Sequence, residues 1–199
     1  MHASPAFMIE DEATLLAHLT AHPFVTLAAA PDGRPMIAHA PLIVRRLETG
    51  LALDLHISRG NALAPFLAAG FRAVAVSLAT DAYISPDWYE SADHVPTWNY
   101  ITVEAEGRVT LLDQIGLVAQ IDALSAQEEA RLLPKRPWTR AKMSPGRFEA
   151  MARAIVGARL TVERLEGVTK LGQNKTETER AGVVAALGDH PIARSMRAL

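Results

Sequence analysis

The sequence predicts an α+β protein, with a small antiparallel barrel or sheet and helices packed on its outside. Strand patterns separated by turns fill roughly the first 110 residues, an order that favours antiparallel pairing. Few helical stretches lie between those strands, whereas a parallel sheet needs a crossover between each pair. The remaining helical patterns gather later in the chain. At 199 residues, one domain spanning 1–199 with C-terminal helices is expected.

The elements follow in order. "EDEATLLAHLTAH" has an acidic first turn, apolar Leu15, Leu16 and Leu19, and a stop at Pro23, which reads as a helix with dipole-compatible ends. "FVTLAAA", "PDGRP" and "MIAHAPLIV" read as strand, tight turn and strand, because Asp-Gly supplies the positive φ of a hairpin. "LALDLHIS" sets Leu51, Leu53, Leu55 and Ile57 on one face against Ala52, Asp54, His56 and Ser58 on the other, a period of two. "NALAPFLAAG" reads as a short helix closed by Gly70, and "RAVAVSLAT" as a strand. "WNYITVEAEGRVTLLD" reads as two strands joined near Glu106-Gly107. A long helical pattern, "QIGLVAQIDALSAQEEARLL", ends at Pro134. After a polar loop, "PGRFEAMARAI" reads as helix and "VGARLTVERLEG" as strand. "KLGQNKTETERAGVVAAL" is a loop and then a helix, and "HPIARSMRAL" is helical.

Apolar residues make up 49% of the chain, and the net charge is −2. That charge argues against a strongly basic nucleic-acid footprint over the whole surface. The absence of cysteine excludes disulfides, thiolate metal sites and cysteine nucleophiles, and suits a reducing cytoplasm. The N-terminal stretch lacks the pattern of a secretory signal. No segment approaches the roughly 20 apolar residues of a membrane span. A soluble, cytoplasmic protein with no membrane partner is the expectation.

Several groupings invite a chemical reading. His18 and His22 have two-histidine metal spacing, but the Glu that a zinc protease needs between them is missing. Cations near a helix end are favourable for dipole reasons alone, so no metal is expected. His56, Ser58, Arg59 and Asn61 sit where a strand gives way to "GNALAPF". They form either an anion site at a helix start or an ordinary capped turn. All three tyrosines and two of the three tryptophans lie between Asp81 and Gly107. Such aromatics are either core or a surface for a planar ligand or partner subunit. "TKLGQNK" crowds two lysines, Gln173 and Asn174 into one loop. The run Lys135, Arg136, Arg140, Lys142 and Arg147 is either a solvated loop or a set of phosphate contacts.

No P-loop, GxGxxG or catalytic triad order is present. The phrases "DAYISPDWY", "VPTWNYITVEAEG", "IVGARLTVERLEGVTKLGQNK" and "AGVVAAL" resemble the PaiB family, described as FMN-binding negative transcriptional regulators. The likeness extends from "HPFVTLAAA" and "HAPLIV" through "SRGN" to "AGVVAAL". It implies a split β-barrel of the flavin reductase and pyridoxamine-phosphate oxidase type, a homodimer with FMN near the subunit interface. It makes His56, Ser58, Arg59 and Asn61 candidates for the FMN phosphate. It brings Thr97, Trp98 and Asn99 to the ring or ribityl chain, and gives Lys170, Gln173 and Asn174 a reach across the dimer. The chain departs from the family's Lys-Leu-Ser-Gln-Asn-Arg at Gly172 and Lys175. It carries Glu104 where many members have His, and its loop between "DWY" and "VPTW" is short. The Lys175 exchange keeps the charge and gives up a bidentate fork. The resemblance implies a regulator that meets DNA directly or through a DNA-binding partner protein. The competing readings are a flavin-dependent oxidoreductase, in which the flavin performs the chemistry, and a barrel that has lost its cofactor.

Overall fold

The computed structural model describes residues 4–89 and 92–199. Glu90 and Ser91, inside the short loop noted above, lie outside the described residues. The elements in chain order are β1 (Met8–Ile9), α1 (Glu12–Ala21), β2 (Phe24–Ala29), β3 (Met36–Leu47), β4 (Gly50–Ser58) and β5 (Phe71–Ile84). There follow β6 (Thr97–Leu111), α2 (Gln114–Ala130), α3 (Arg147–Ala152), β7 (Ile155–Lys170), α4 (Glu177–Leu187) and α5 (Pro191–Met196). Among the described residues the strands run β1-β7-β4-β3-β2-β5-β6, and β7 also pairs with β6. Six strands therefore close into a barrel, and β1 is added to β7 outside the ring.

The chain divides into two compact units. The barrel unit comprises 19–77 and 105–165, and the second unit the described residues of 1–18, 78–104 and 166–199.

In the barrel unit the β2–β3 hairpin forms as its turn chemistry requires. Gly33 adopts φ 84°, and its N–H donates to the Ala30 carbonyl at 3.1 Å. The register runs from Phe24 opposite Pro41 to Ala29 opposite Met36. It keeps Val25, Leu27, Ala38 and Ala40 buried together, and a slip of one residue would turn all of them outward.

β4 departs from simple alternation. Leu53, Leu55 and Ile57 are buried as expected, yet Ala52 and Asp54 on the opposite face are buried too. The reason is α2, capped by the Asp113 carboxylate accepting from Gly116 N–H at 2.7 Å, which packs against β3 and β4. His56 Nδ1 meets Oε1 of the fully buried Gln120 of this helix at 2.8 Å. Asp54 tolerates burial because Arg159 donates to it through Nε (2.6 Å) and Nη2 (2.8 Å), and Arg45 Nε through a longer contact of 3.3 Å. A buried carboxylate of this kind is stable only while paired.

Two sequence expectations are corrected. The stretch after β4 is not an α-helix: a 3-10 turn covers only Ala64–Phe66. Pro65 brings no N–H, and Gly70 at φ 71° soon turns the chain away, so too few residues remain to repay helix nucleation. The segment from Thr97 to Leu111 is one strand, not two joined at Gly107. Gly107 serves a different purpose. A Cβ built there would lie 1.8 Å from the Thr161 carbonyl oxygen of β7, so the missing side chain is what lets β6 and β7 close the ring.

The second unit has its own core, formed by Ala82, Ile84, Leu171, Val183, Ile192 and Met196, with Trp88 and Tyr89 packed against it. Gly182 of α4 admits the Trp88 carbonyl, whose oxygen would lie 2.2 Å from a Cβ. None of the described helices is long and apolar enough to cross a membrane.

Gly107→Ala is expected to cost about 3 kcal/mol or more, by overpacking against backbone that cannot move alone. Gly60→Ala, whose added Cβ meets nothing nearer than 3.7 Å, should leave the urea midpoint almost unchanged. Equal midpoints for the two variants would contradict this account of closure. A second expectation concerns acid. Arg72 (2.8 Å) and Arg164 (2.6 Å) hold the Glu106 carboxyl below its ordinary value of 4.5. That stabilisation is complete above the ordinary value and is lost as pH falls through the lowered one. Glu106→Gln should therefore flatten the melting temperature against pH below 4.5, and a curve parallel to wild type would refute it.

Candidate functional site

The second unit encloses a cavity of about 470 Å³, within the size range of small-molecule sites. Its walls come from strand ends and the loops that follow them. β6 begins at Thr97, and because alternate side chains share a face, Thr97 and Asn99 both line the cavity. Trp98 points the other way. It is 53% exposed and packs edge-on to Tyr83 with ring centroids 6.1 Å apart. Asn99 is buried, and its amide donates to the Met196 sulfur at 3.6 Å.

Lys170 is the last residue of β7. Its ammonium donates to Thr97 Oγ1 at 2.6 Å, and burial alone pushes its pKa below the ordinary lysine value. No carboxylate contact to Lys170 is found among the described residues. After buried Leu171 the chain turns at Gly172, with φ 78°. Gln173 ties this turn together: its Oε1 accepts from Leu171 N–H at 2.8 Å, and its Nε2 donates to the Thr169 carbonyl. It is not among the lining residues, whereas Asn174 and Lys175 are.

Lys175 precedes α4, whose start is a capping box. The Thr176 hydroxyl accepts from Glu179 N–H (3.3 Å), and Glu179 Oε2 accepts from Thr176 N–H (2.9 Å). The other carboxylate oxygen of Glu179 lies 2.8 Å from His94 Nε2, and His94 Nδ1 lies 2.9 Å from the Lys175 ammonium. That ammonium also stands 4.9 Å from the centre of the Tyr89 ring. Burial, and then the Glu179 charge, push the Tyr89 hydroxyl above its ordinary pKa. Two ammonium groups, amides and an aromatic face thus converge on one cavity, a donor set suited to an anion attached to a flat ring.

The candidates of the barrel unit have other partners. Arg59 donates through Nε to the Arg153 carbonyl and through Nη2 to the Ile155 carbonyl, both at 3.1 Å. It braces the approach to β7. Ser58 Oγ accepts from Gly60 N–H (3.2 Å), and Asn61 joins the Ile37 carbonyl (3.3 Å) to Leu63 N–H (2.9 Å). His56 faces Gln120, as described above. Of the basic run, Lys135 is paired with Glu129 and Arg140 with Asp122, while Lys142 donates to the Pro137 carbonyl at 2.6 Å. One cavity of the barrel unit, about 510 Å³ beside Trp138 and Leu133, is mostly apolar, and its Arg140 is the one neutralised by Asp122.

The sequence reading missed His94 and Glu179 as site residues; Tyr89 fell within its aromatic stretch, and Lys175 within the "TKLGQNK" loop and among the departures. His94 and Glu179 lie far apart in the chain, so no local pattern links them. The visible signal was the capping box, Thr176 followed by Glu179.

In the apo protein, Lys170→Met is expected to leave melting temperature unchanged or raised, because a half-buried cation gives way to an apolar chain of similar length. The sign follows from linkage. With a lowered folded pKa, the unfolded chain holds more protons as pH approaches the ordinary value of 10.5. Wild-type stability therefore gains from this group across that window, and the Met variant should lack the gain. A wild-type and variant pair with parallel pH profiles would contradict it.

Comparison with known proteins places the chain in a family. Residues 1–164 match the family described as "Putative FMN-binding domain". The "Protease synthase and sporulation protein PAI 2" of Bacillus subtilis (strain 168) is 26% identical over 201 residues, covering 100% of this chain and 96% of that protein. Among solved structures, the FAD and heme binding protein from Mycobacterium smegmatis superposes with a TM-score of 0.58 at 19% identity, covering 92% of this chain and 81% of its own. The flavocytochrome Anf3 from Azotobacter vinelandii gives 0.60 at 16% identity, covering 91% and 78%. The two structures share the fold.

Proposed function

The chain belongs to the FMN-binding domain family, and from that premise we propose that it is an FMN-dependent regulator of the PaiB type. The cavity around Lys170 is its cofactor site. The observation that carries this reading is the Lys170 ammonium, half-buried with the Thr97 hydroxyl as its one partner among the described residues. A desolvated cation without a counter-ion is costly to keep, and an anionic ligand removes the cost. The donor set fits FMN: Lys170 and Lys175 for the phosphate, Asn99 and Asn174 for ribityl or ring polar atoms, and Tyr89 for the flat face. FMN when bound supplies hydride or electron chemistry. The protein's own residues hold charge, orient the ligand and exclude water. The further candidates His56, Ser58, Arg59 and Asn61 support the barrel wall in this reading, and Gln173 shapes the loop that carries Asn174.

The same protein acts as a homodimer. Phe24 (68% exposed) and Ile37 (58%) stand on adjacent strands of the barrel's outer face. Apolar groups of this size on a sheet face favour coverage by a second copy. Regulation then reaches DNA through a partner protein, because the net charge is −2 and Lys135 and Arg140 of the basic run are already ion-paired within the chain. A cysteine-free sequence suits work in the cytoplasm.

The test is a visible spectrum of purified protein followed by titration with FMN. Saturable binding is expected, weakened about tenfold to a hundredfold by Lys170→Met, the range of a charge-assisted hydrogen bond. Absence of both a flavin spectrum and saturable binding would sink the proposal.

A further inference from the structure

The two lysines of the cavity are held in different ways. Lys170 rests on a hydroxyl. Lys175 sits at the end of a chain of three side chains whose hydrogen-bond directions can be assigned. An ammonium has hydrogens to give and no lone pair, so at 2.9 Å it donates to His94 Nδ1. That nitrogen therefore carries the lone pair, and the ring proton sits on Nε2, which donates to the Glu179 carboxylate at 2.8 Å. Glu179 is fixed in turn by the capping box of α4. The Glu179 and His94 side chains are largely buried, with 12% and 17% exposure, so the chain is anchored rather than solvated.

The consequence is electrostatic. A carboxylate bonded directly to Lys175 would cancel most of its field. Here the negative charge stands behind an imidazole, and the ammonium itself touches neutral groups, the Nδ1 lone pair and the Tyr89 ring face. Both favour a cation without neutralising it. Among the described lining residues the one carboxylate is Asp93, which is exposed. Lys170 and Lys175 thus present two positive charges to one ligand, matching a group with two negative charges.

We propose that Lys175, positioned by the Glu179–His94 chain, makes this cavity select ligands that end in a phosphate monoester dianion over the same ligands without it. Lys175 is the specificity-determining residue and His94 a positioning residue. The inference rests on the reading of this cavity as the FMN site, and it adds the part of the ligand that is read and the residues that read it.

The experiment compares FMN with riboflavin, which is the same ring and ribityl chain without the phosphate. Titrations use the full chain as wild type, Lys175→Met, Lys175→Arg, His94→Ala and the His94→Ala/Lys175→Met double variant, each checked by thermal melting. Wild type should prefer FMN, and Lys175→Met should lower that preference about tenfold to a hundredfold through the FMN arm alone. Lys175→Arg should retain most of it. His94→Ala should lower it by a smaller factor, and the double variant should be no worse than Lys175→Met. That lack of additivity marks a residue acting through another, and a merely structural role would add. Equal loss of FMN and riboflavin, or an unchanged preference in Lys175→Met, overturns the proposal and leaves the FMN site intact. If wild type binds neither flavin, the FMN reading fails, and inorganic phosphate titrated against the His94 ring resonances decides the rest. Saturable shifts abolished by Lys175→Met uphold a phosphate site, and their absence ends it. If Lys175→Met does not melt cooperatively, Lys175→Gln takes its place with the same expected outcomes.

Discussion

The closure of β6 on β7 is the constraint from which much else follows. At Gly107 the Thr161 carbonyl lies where a side chain would begin, and a ring of six strands has no exposed edges left to manage. Closure also dictates which side chains meet. The same two strands supply Thr97 and Lys170 at their other ends, and these bond at 2.6 Å. A glycine that admits one strand to another and a lysine that finds a threonine are therefore expressions of one pairing.

Charge is distributed with the same economy. Asp54 is buried and fully engaged by Arg159, with Arg45 close by. Glu106 lies between Arg72 and Arg164. Arg59, exposed though it is, directs its donors to backbone carbonyls. The two cavity lysines also have neutral immediate partners, and what sets them apart is that both line one cavity. Two cations with neutral partners on one cavity suit the anionic ligand proposed above.

The hairpin at Gly33, the long helix and the late strand were legible because each has a local signature in turn residues or period. Gly107 was misread because a turn glycine and a glycine that admits a neighbouring backbone look alike in one sequence. The difference lies in Thr161, 54 positions away. β4 was read as half-exposed because polar Asp54 and His56 alternate with leucines, and nothing local announces that α2 will cover them. The site divides the same way. Thr97, Asn99, Lys170 and Asn174 fell on phrases that carry the family resemblance. His94 and Glu179 belong to no phrase, since a hydrogen-bonded relay is a property of the assembled structure. The aromatic stretch proved mixed, with Trp88 and Tyr89 packed on a core and Tyr83 and Trp98 exposed.

The departures at Gly172 and Lys175 then acquire a physical meaning. Gly172 adopts φ 78°, a conformation that costs a residue with a Cβ and costs glycine nothing. The turn it makes sets Lys175 beside His94 and Tyr89. An arginine at 175 would spread its charge over a planar fork and invite bidentate pairing. The compact ammonium of lysine can instead point one hydrogen at the imidazole, lie on the Tyr89 ring and still face the cavity. Glycine and lysine at these positions are thus consistent with each other: one supplies the turn, and the other supplies a point charge small enough to use it.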